Sequence, residues 1–456
     1  MCRRLQRRPL RVRQSQRPAF SSYMLHFQLA GAVWQTGAAG LPSSLTSAAR
    51  RFYAVLLLVL GFLLQPAFAQ AQASITGQVR DSVTHAPLPF ASVFLANTSR
   101  GATTDAEGRY KLTGITPGHY ELGVSYVGYR LYRRAINLTS ALTFNPDVAP
   151  DARQLAEVVV RPDPNRETDY QRFRELFLGT STFSRQCQIV NPDEVRVAYD
   201  SRQNVLTAET LKPVEVENRA LGYRLTFYQL DFRAEFQDQN MAVTVLTQVA
   251  FRELPGSAGR QRRWAANRAR AYRGSQMHFL RSLYAGRVAE EGFRVRKMRR
   301  VVNQRRAAVA ARLHREQEMG LGGILPDSVR KILAEPPVMT YLFKPLLPLD
   351  SMRRAEAGRG ADGRVWLRFH DLLAVGYEGE KPDAAYRMAG PNFSSLQPET
   401  EESVLQLQLP EAEVEAFGTL VVPLAALSEG YWGFEKIGEL LPLDYQLPAA
   451  GRSSAK

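Results

Sequence analysis

The chain has 456 residues, 45% of them hydrophobic and 23% charged, a length and balance that fit two or three folded domains and exclude a disordered or fibrous protein. The formal net charge of +15 is unevenly placed: nine of the 59 Lys and Arg residues, and none of the 44 acids, lie in residues 1–69. Much of the basicity therefore belongs to a leader, and the two cysteines, Cys2 and Cys187, give no support to a disulfide scaffold.

Arg50-Arg51, an apolar run over 52–64 and the ending Gln65-Pro66-Ala67-Phe68-Ala69 have the layout of a secretory signal. The run is short of the roughly 20 apolar residues that span a bilayer, which favours cleavage between Ala69 and Gln70 over a retained anchor. Residues 50–69 thus read as a signal peptide. Residues 1–49, Arg-rich and unpatterned, read as a non-structural leader such as a start assigned too far upstream would add. The expected location is the periplasm or the outer-membrane surface, with no transmembrane segment in the mature chain.

From Ser74 the pattern changes to short alternating runs at 75–79, 91–95, 110–112, 120–126 and 132–138. Period-two alternation broken by turns every 8–12 residues predicts an all-β sandwich. Thr116-Pro117-Gly118-His119 predicts a type II turn, and Asp105-Ala106-Glu107-Gly108 a turn opened by a side-chain acceptor and closed by glycine.

Five ordered submotifs carry a family resemblance. Gly77-x-Val79-x-Asp81, Pro87-Leu88-Pro89-x-Ala91-x-Val93, Thr104-Asp105-x-x-Gly108-x-Tyr110, Pro117-Gly118-x-Tyr120 and Ser125-Tyr126-x-Gly128-Tyr129 resemble the carboxypeptidase regulatory-like domain of bacterial envelope proteins. The likeness covers residues 74–160. It implies a transthyretin-type sandwich, non-catalytic, that serves stability or contacts to protein or carbohydrate.

A zinc peptidase of that family would need a His-x-x-Glu pair and a distant histidine. The residues three after the six histidines are Leu29, Leu88, Leu122, Arg281, Gln317 and Leu373. None is an acid, so the peptidase half is absent and neither metal nor cofactor is expected.

The run Gln154-Leu155-Ala156-Glu157-Val158-Val159-Val160 resembles one that follows this domain in TonB-dependent receptors, and reads as a terminal strand or tether. Residues 161–166, with Pro162 and Pro164, read as a linker.

Residues 167–447 are predicted to form a larger α+β, mainly antiparallel domain, with 448–456 a flexible tail. A helix is expected at 170–178, capped by Glu167-Thr168-Asp169. Strands are expected at 188–190, 195–199, 206–210, 223–228, 231–236 and 241–251, the last two paired as a hairpin. A helical stretch over 263–291 is interrupted at Gly274-Ser275 and stopped by Gly292. A short helix from Asp327 ends before Pro336-Pro337; strands follow at 365–369 and 403–409, then a short helix after Gly430. The segment Trp264-x-x-Asn267-Arg268-x-x-x-Tyr272-x-Gly274-Ser275-x-x-His278-Phe279-Leu280-Arg281 is similar to an uncharacterised region that follows this sandwich in other envelope proteins.

Residues 252–315 hold 18 Lys/Arg against three acids. Export argues against nucleic acid, and no aromatic platform for single strands accompanies the charge. Arg262, Arg263, Arg268, Arg270, Arg273, His278 and Arg281 are therefore the candidate surface for an anionic ligand: an acidic glycan, a lipid surface or an envelope protein partner. The alternative is a solvated face with arginines paired to acids elsewhere.

His278 and His370-Asp371 are the acid–base candidates and Cys187 the nucleophile candidate, each without a supporting local motif. Glu399, Glu401 and Glu402 read as a solvated turn, and Gly320-x-Gly322-Gly323 as a flexible link. The expected function is a non-enzymatic envelope protein with a binding or docking role. The rivals are a hydrolase of unrecognised type in the second domain and an accessory to a TonB-dependent receptor.

Overall fold

The computed structural model describes residues 73–151, 165–210, 212–237, 240–320, 323–356, 363–389 and 400–448. The signal segment, its cleavage pair Ala69 and Gln70, the run 154–160 and most of the linker lie outside them.

The N-terminal module holds β1 (Ala73–Gln78), β2 (Arg80–Asp81), β3 (Ser92–Leu95), β4 (Gly101–Thr103), β5 (Arg109–Ile115), β6 (Gly118–Ser125), β7 (Tyr132–Leu138), β8 (Leu142–Thr143) and β9 (Asp147–Val148). Antiparallel β4-β3-β6-β7 faces β5-β1-β8 and the β2-β9 pair. Between them Ile75, Leu95, Ile115, Leu122, Val124 and Leu138 are buried. Alternation places them: in β5 the burial pattern is strictly in and out from Arg109 to Thr113.

The submotifs are explained by loop chemistry. Asp81 Oδ1 accepts from the amides of Val83 (2.6 Å) and Thr84 (3.0 Å), while Tyr129 donates its hydroxyl to Oδ2 at 2.6 Å. Asp105 Oδ1 accepts from Glu107 N and Arg109 N, and Gly108 takes φ +71°. Gly118 differs from its expected turn role. It opens β6, and a Cβ there would strike the ring of Phe417, so close approach is what demands glycine.

The second region begins with α1 (Arg166–Leu178) and β10 (Cys187–Ile189), β11 (Val195–Asp200), β12 (Val205–Thr210), β13 (Val214–Asn218), β14 (Tyr223–Gln237) and β15 (Asn240–Glu253). The strand pair expected at 223–228 and 231–236 is a single 15-residue strand with a register shift between Tyr228 and Asp231. One edge of β14 serves β13 and then β12, and the other pairs β15 throughout. Phe173 and Phe177 of α1 meet Phe232 and Phe227 at 5.0 and 5.1 Å, filling the face of this sheet. The helix starts after Asn165 with no side-chain cap, and Asp169, expected in the cap, is buried inside it.

Two helices, α2 (Ala258–Tyr272) and α3 (Gln276–Ala285), then pass from this sheet to a second one. The break falls at Gly274 as expected, but the stop is Gly286, left-handed at φ +72°. Gly292 instead lies in the turn before the next strand.

The second sheet, β17-β16-β20-β21-β23, is antiparallel. Its strands are β16 (Phe293–Val302), β17 (Val338–Leu346), β20 (Leu372–Tyr377), β21 (Glu401–Leu407) and β23 (Ala426–Gly430). A small sheet holds β18 (Arg353–Ala355), β19 (Val365–Leu367) and β22 (Ala412–Val414). Between β16 and β17 stand α4 (Gln304–Glu318) and α5 (Asp327–Ala334); α6 (Ala384–Ala389) and α7 (Tyr431–Phe434) complete the region. Phe279, Leu283, Phe293, Val375, Leu405 and Trp432 form its core.

The sandwich is joined to this region by more than the connecting chain. The amide of Asn97 donates to Val249 O (2.6 Å), and the amides of Phe251 and Leu443 donate to Thr98 O (3.1 Å) and Asn97 O (2.7 Å). Phe94 stacks on Tyr228, and Phe417 enters the sandwich core beside Tyr120.

Candidate functional site

Helical spacing puts Trp264, Asn267 and Arg268 on one face of α2, and that face meets the chain reversal at 219–222. Trp264 Nε1 donates to Arg219 O (2.9 Å), Asn267 Nδ2 to Ala220 O (2.7 Å) and Arg268 Nε to Leu221 O (2.7 Å). A second Arg268 nitrogen reaches Gly222 O at 3.2 Å and the third Glu253 at 2.6 Å, while the guanidinium lies 3.8 Å from the Tyr223 ring centre. Among the described residues no backbone amide serves the carbonyls of Arg219, Ala220 and Leu221, so these side chains stand in for backbone donors; Gly222 O also accepts from Leu254 N at 3.0 Å.

The remaining signature residues do the same work at other junctions. Arg281 donates to the carbonyls of Phe417 (2.9 Å), Leu443 (3.0 Å) and Tyr445 (2.9 Å), tying α3 to the loop that enters the sandwich and to the C-terminal segment. Arg273 pairs with Glu380 at 3.1 Å. Arg270 lies 3.9 Å from Glu380 and 4.0 Å from Asp383.

His278 is buried among Tyr272, Phe293 and Tyr377. Its Nδ1 accepts from Gly274 N at 3.2 Å, which puts the proton of the neutral ring on Nε2, 3.5 Å from Glu291. Burial lowers its pKa, with Glu291 opposing.

The basic set read from the sequence divides in two. Arg268, Arg270, Arg273, His278 and Arg281 are spent on internal partners. Of the seven candidates only Arg262 and Arg263 are exposed with no ion-pair partner among the described residues. His370 is exposed, its neighbour Asp371 engaged by Lys297 and Arg299. The Cys187 thiol is pushed up to about 12 by burial, so it is no thiolate at neutral pH.

Glu401 is not part of a solvated turn. It opens β21, 5% exposed, and Oε2 has no hydrogen-bond partner. Burial, then the charge of Glu380, lifts it to about 8. Glu439, which accepts from the Ser181 hydroxyl, is raised to about 7, and Glu435 is raised as well, by burial first in both. Burial thus favours the protonated form of each, and Glu439 also accepts from Lys436 N at 3.2 Å. Among the described residues no three His, Cys, Asp or Glu side chains converge to hold a metal ion.

Clefts among the described residues include two. One, about 240 Å³, lies on the second sheet between Arg294, Arg296, Leu342, Tyr377 and Glu402. The other, about 300 Å³, is built jointly: the sandwich gives Ser99 and Arg100, the first sheet Tyr223 and Glu253, α2 gives Arg268, and the C-terminal segment gives Asp444 and Tyr445. Arg100 is paired to Asp444 (3.2 Å) and Arg268 to Glu253, so the walls alternate in charge. The buried Tyr445 Oη has no hydrogen-bond partner.

Residues 75–160 match the CarboxypepD_reg-like domain, in the stretch where the strands close into a sandwich. Residues 75–160 are a carboxypeptidase regulatory-like domain. The chain is also similar to solved structures at low identity. A DUF3823 family protein from Parabacteroides merdae is 10% identical over 39% of this chain and 81% of that one, with a TM-score of 0.16. The group B streptococcus pilus 2b backbone protein is 18% identical over 18% and 43%, TM-score 0.16. Catechol 1,2-dioxygenase from Acinetobacter sp. is 15% identical over 22% and 59%, TM-score 0.17. The chain spans less than two thirds of the last two, and scores this low carry no argument. No curated protein matches the sequence.

No helix of the described residues is long and apolar enough to cross a membrane. The signature residues of α2 and α3 were legible as a motif, but their role was not. Arginines that satisfy carbonyls and arginines that face solvent look alike in one sequence.

Proposed function

We propose that this chain is an exported, non-enzymatic cell-envelope protein that binds a partner molecule in the cleft shared by its regulatory-like domain and its α+β region. The observation that carries the reading is Tyr445. Its buried hydroxyl lacks a partner in the wall of a cleft to which both parts of the chain contribute. A buried polar atom left unpaired costs free energy, and a ligand group that pairs with it recovers that cost. Two tyrosine rings beside alternating guanidinium and carboxylate groups suit a hydroxyl-rich ligand such as an envelope glycan, which offers apolar ring faces and both donors and acceptors. The two carboxylates of the lining, Glu253 and Asp444, are each engaged by an arginine, Arg268 at 2.6 Å and Arg100 at 3.2 Å, which supports a binding role over the acid–base pair that glycan hydrolysis requires.

Titration calorimetry against solubilised peptidoglycan fragments and acidic capsular polysaccharide tests this. Heat that disappears in Arg100→Ala and Tyr445→Phe supports the cleft. Binding unchanged in both variants, or turnover of the glycan, contradicts the reading.

A further inference from the structure

The excursion between β16 and β17 contributes almost nothing to any core. β16 pairs with β20 only from Phe293 to Met298; beyond that it pairs with β17 alone, as a two-stranded ribbon carrying α4 and α5. Neither helix has a buried residue, and all nine residues of β17 are exposed. Soluble surfaces scatter their apolar residues singly. Here they gather: Val302, Met339, Tyr341 and Phe343 along the ribbon, Met319 at 64% and Ile324 at 98% exposure where the helices meet.

Charge says what this surface suits. Residues 319–326 contain no charged side chain, and residues 303–335, which form the arm, carry six Lys and Arg against four acids; each acid already faces a basic side chain of the arm, Glu335 facing Arg305, Glu316 Arg312, Glu318 His314 and Asp327 Arg330. Arg315 and Lys331, on the two helices next to the uncharged tip, are exposed and have no ion-pair partner among the described residues. An apolar tip flanked by free cations matches the layering of an anionic bilayer, acyl chains beneath and phosphates above. A second copy of this arm would meet it with like charge. An acidic protein would leave the fully exposed Ile324 without a purpose.

We propose that the α4–α5 arm docks on an anionic lipid surface, with Met319 and Ile324 entering the interface and Arg315 and Lys331 meeting the headgroups. The inference is independent of the cleft, which lies on other residues.

Flotation of the protein, in the form that cells accumulate, with vesicles of phosphatidylcholine alone or three parts to one part phosphatidylglycerol provides the test. Binding to the anionic vesicles is expected to fall with salt. It is also expected to fall about tenfold or more in Met319→Glu/Ile324→Glu, with an unchanged circular dichroism melt. Ile324→Trp should add emission that shifts to the blue on anionic vesicles only. Equal flotation of the double-glutamate variant, or no added blue shift, overturns the proposal. So does a concentration-dependent dimer in sedimentation that the double-glutamate variant dissolves, which would give the arm to a second copy.

Discussion

The ring of Phe94 lies flat on that of Tyr228, centroids 4.3 Å apart and planes 11° apart. Phe94 belongs to the sandwich and Tyr228 to the long strand of the second region, so this stack crosses between two parts that are also joined by an isolated parallel β-bridge, Thr98 to Ala250. Backbone hydrogen bonds from Asn97, Phe251 and Leu443 flank it. The regulatory-like domain is consequently built into the rest of the fold, and the cleft at Arg100 and Tyr445 exists because of that junction.

Phe94→Ala is expected to lower stability by about 3–5 kcal/mol, the range for a buried phenylalanine that leaves a cavity. Urea denaturation followed by tryptophan emission measures it. A loss below about 1 kcal/mol would mean that the stack holds little.

Arg268→Gln should cost about 1–3 kcal/mol, because the Leu221 carbonyl loses its donor and the Tyr223 ring its guanidinium. Arg262→Gln and Arg263→Gln should stay within about 0.5 kcal/mol, as exposed substitutions do. Thermal melts of the three variants side by side check the contrast.

Tyr445→Phe removes a buried hydroxyl that has no partner. The free protein should gain up to about 1 kcal/mol while the ligand complex weakens. Melting temperature with and without glycan separates the two effects, and a variant less stable in both states would show the hydroxyl to be satisfied.

Stability should fall as pH rises from about 4.5 toward about 8. In the unfolded chain Glu401 titrates near its ordinary 4.5, but burial holds it protonated up to about 8 in the fold. Its favourable share is therefore whole below about 4.5 and is lost across that window, because the unfolded state releases its proton first. Glu439, raised to about 7, acts in the same direction. Glu401→Gln should flatten the profile of melting temperature against pH between 5 and 8.

The sequence made the sandwich legible because its turns demand particular residues. Asp81, Asp105 and Gly108 stand where amides need acceptors or where φ must be positive. Helix α2 and its break at Gly274 were equally readable. Strand β16 was not. Four of its five cations, Arg294, Lys297, Arg299 and Arg300, are neutralised by acids far along the chain, so charge hid the apolar period of Phe293, Val295 and Met298. β13, β17, β20 and α4 were missed as well. β17 has no buried face to impose a pattern, and α4 has no buried residue. Glu401 looked solvated because three acids beside a proline usually are; only the sheet places it inside. The arginine signature of α2 and α3 misled most. Guanidinium-to-carbonyl bonds depend on a chain reversal 47 residues earlier, as with Arg268 and Leu221, and no local spacing records that.

Scanning calorimetry of the chain as cells accumulate it is the most direct examination of the joined sandwich. A single transition is expected, with calorimetric and van't Hoff enthalpies in agreement, splitting into two in Phe94→Ala. Two separate transitions in the unaltered protein, one unmoved by Phe94→Ala, would contradict a fused body and remove the shared cleft with it.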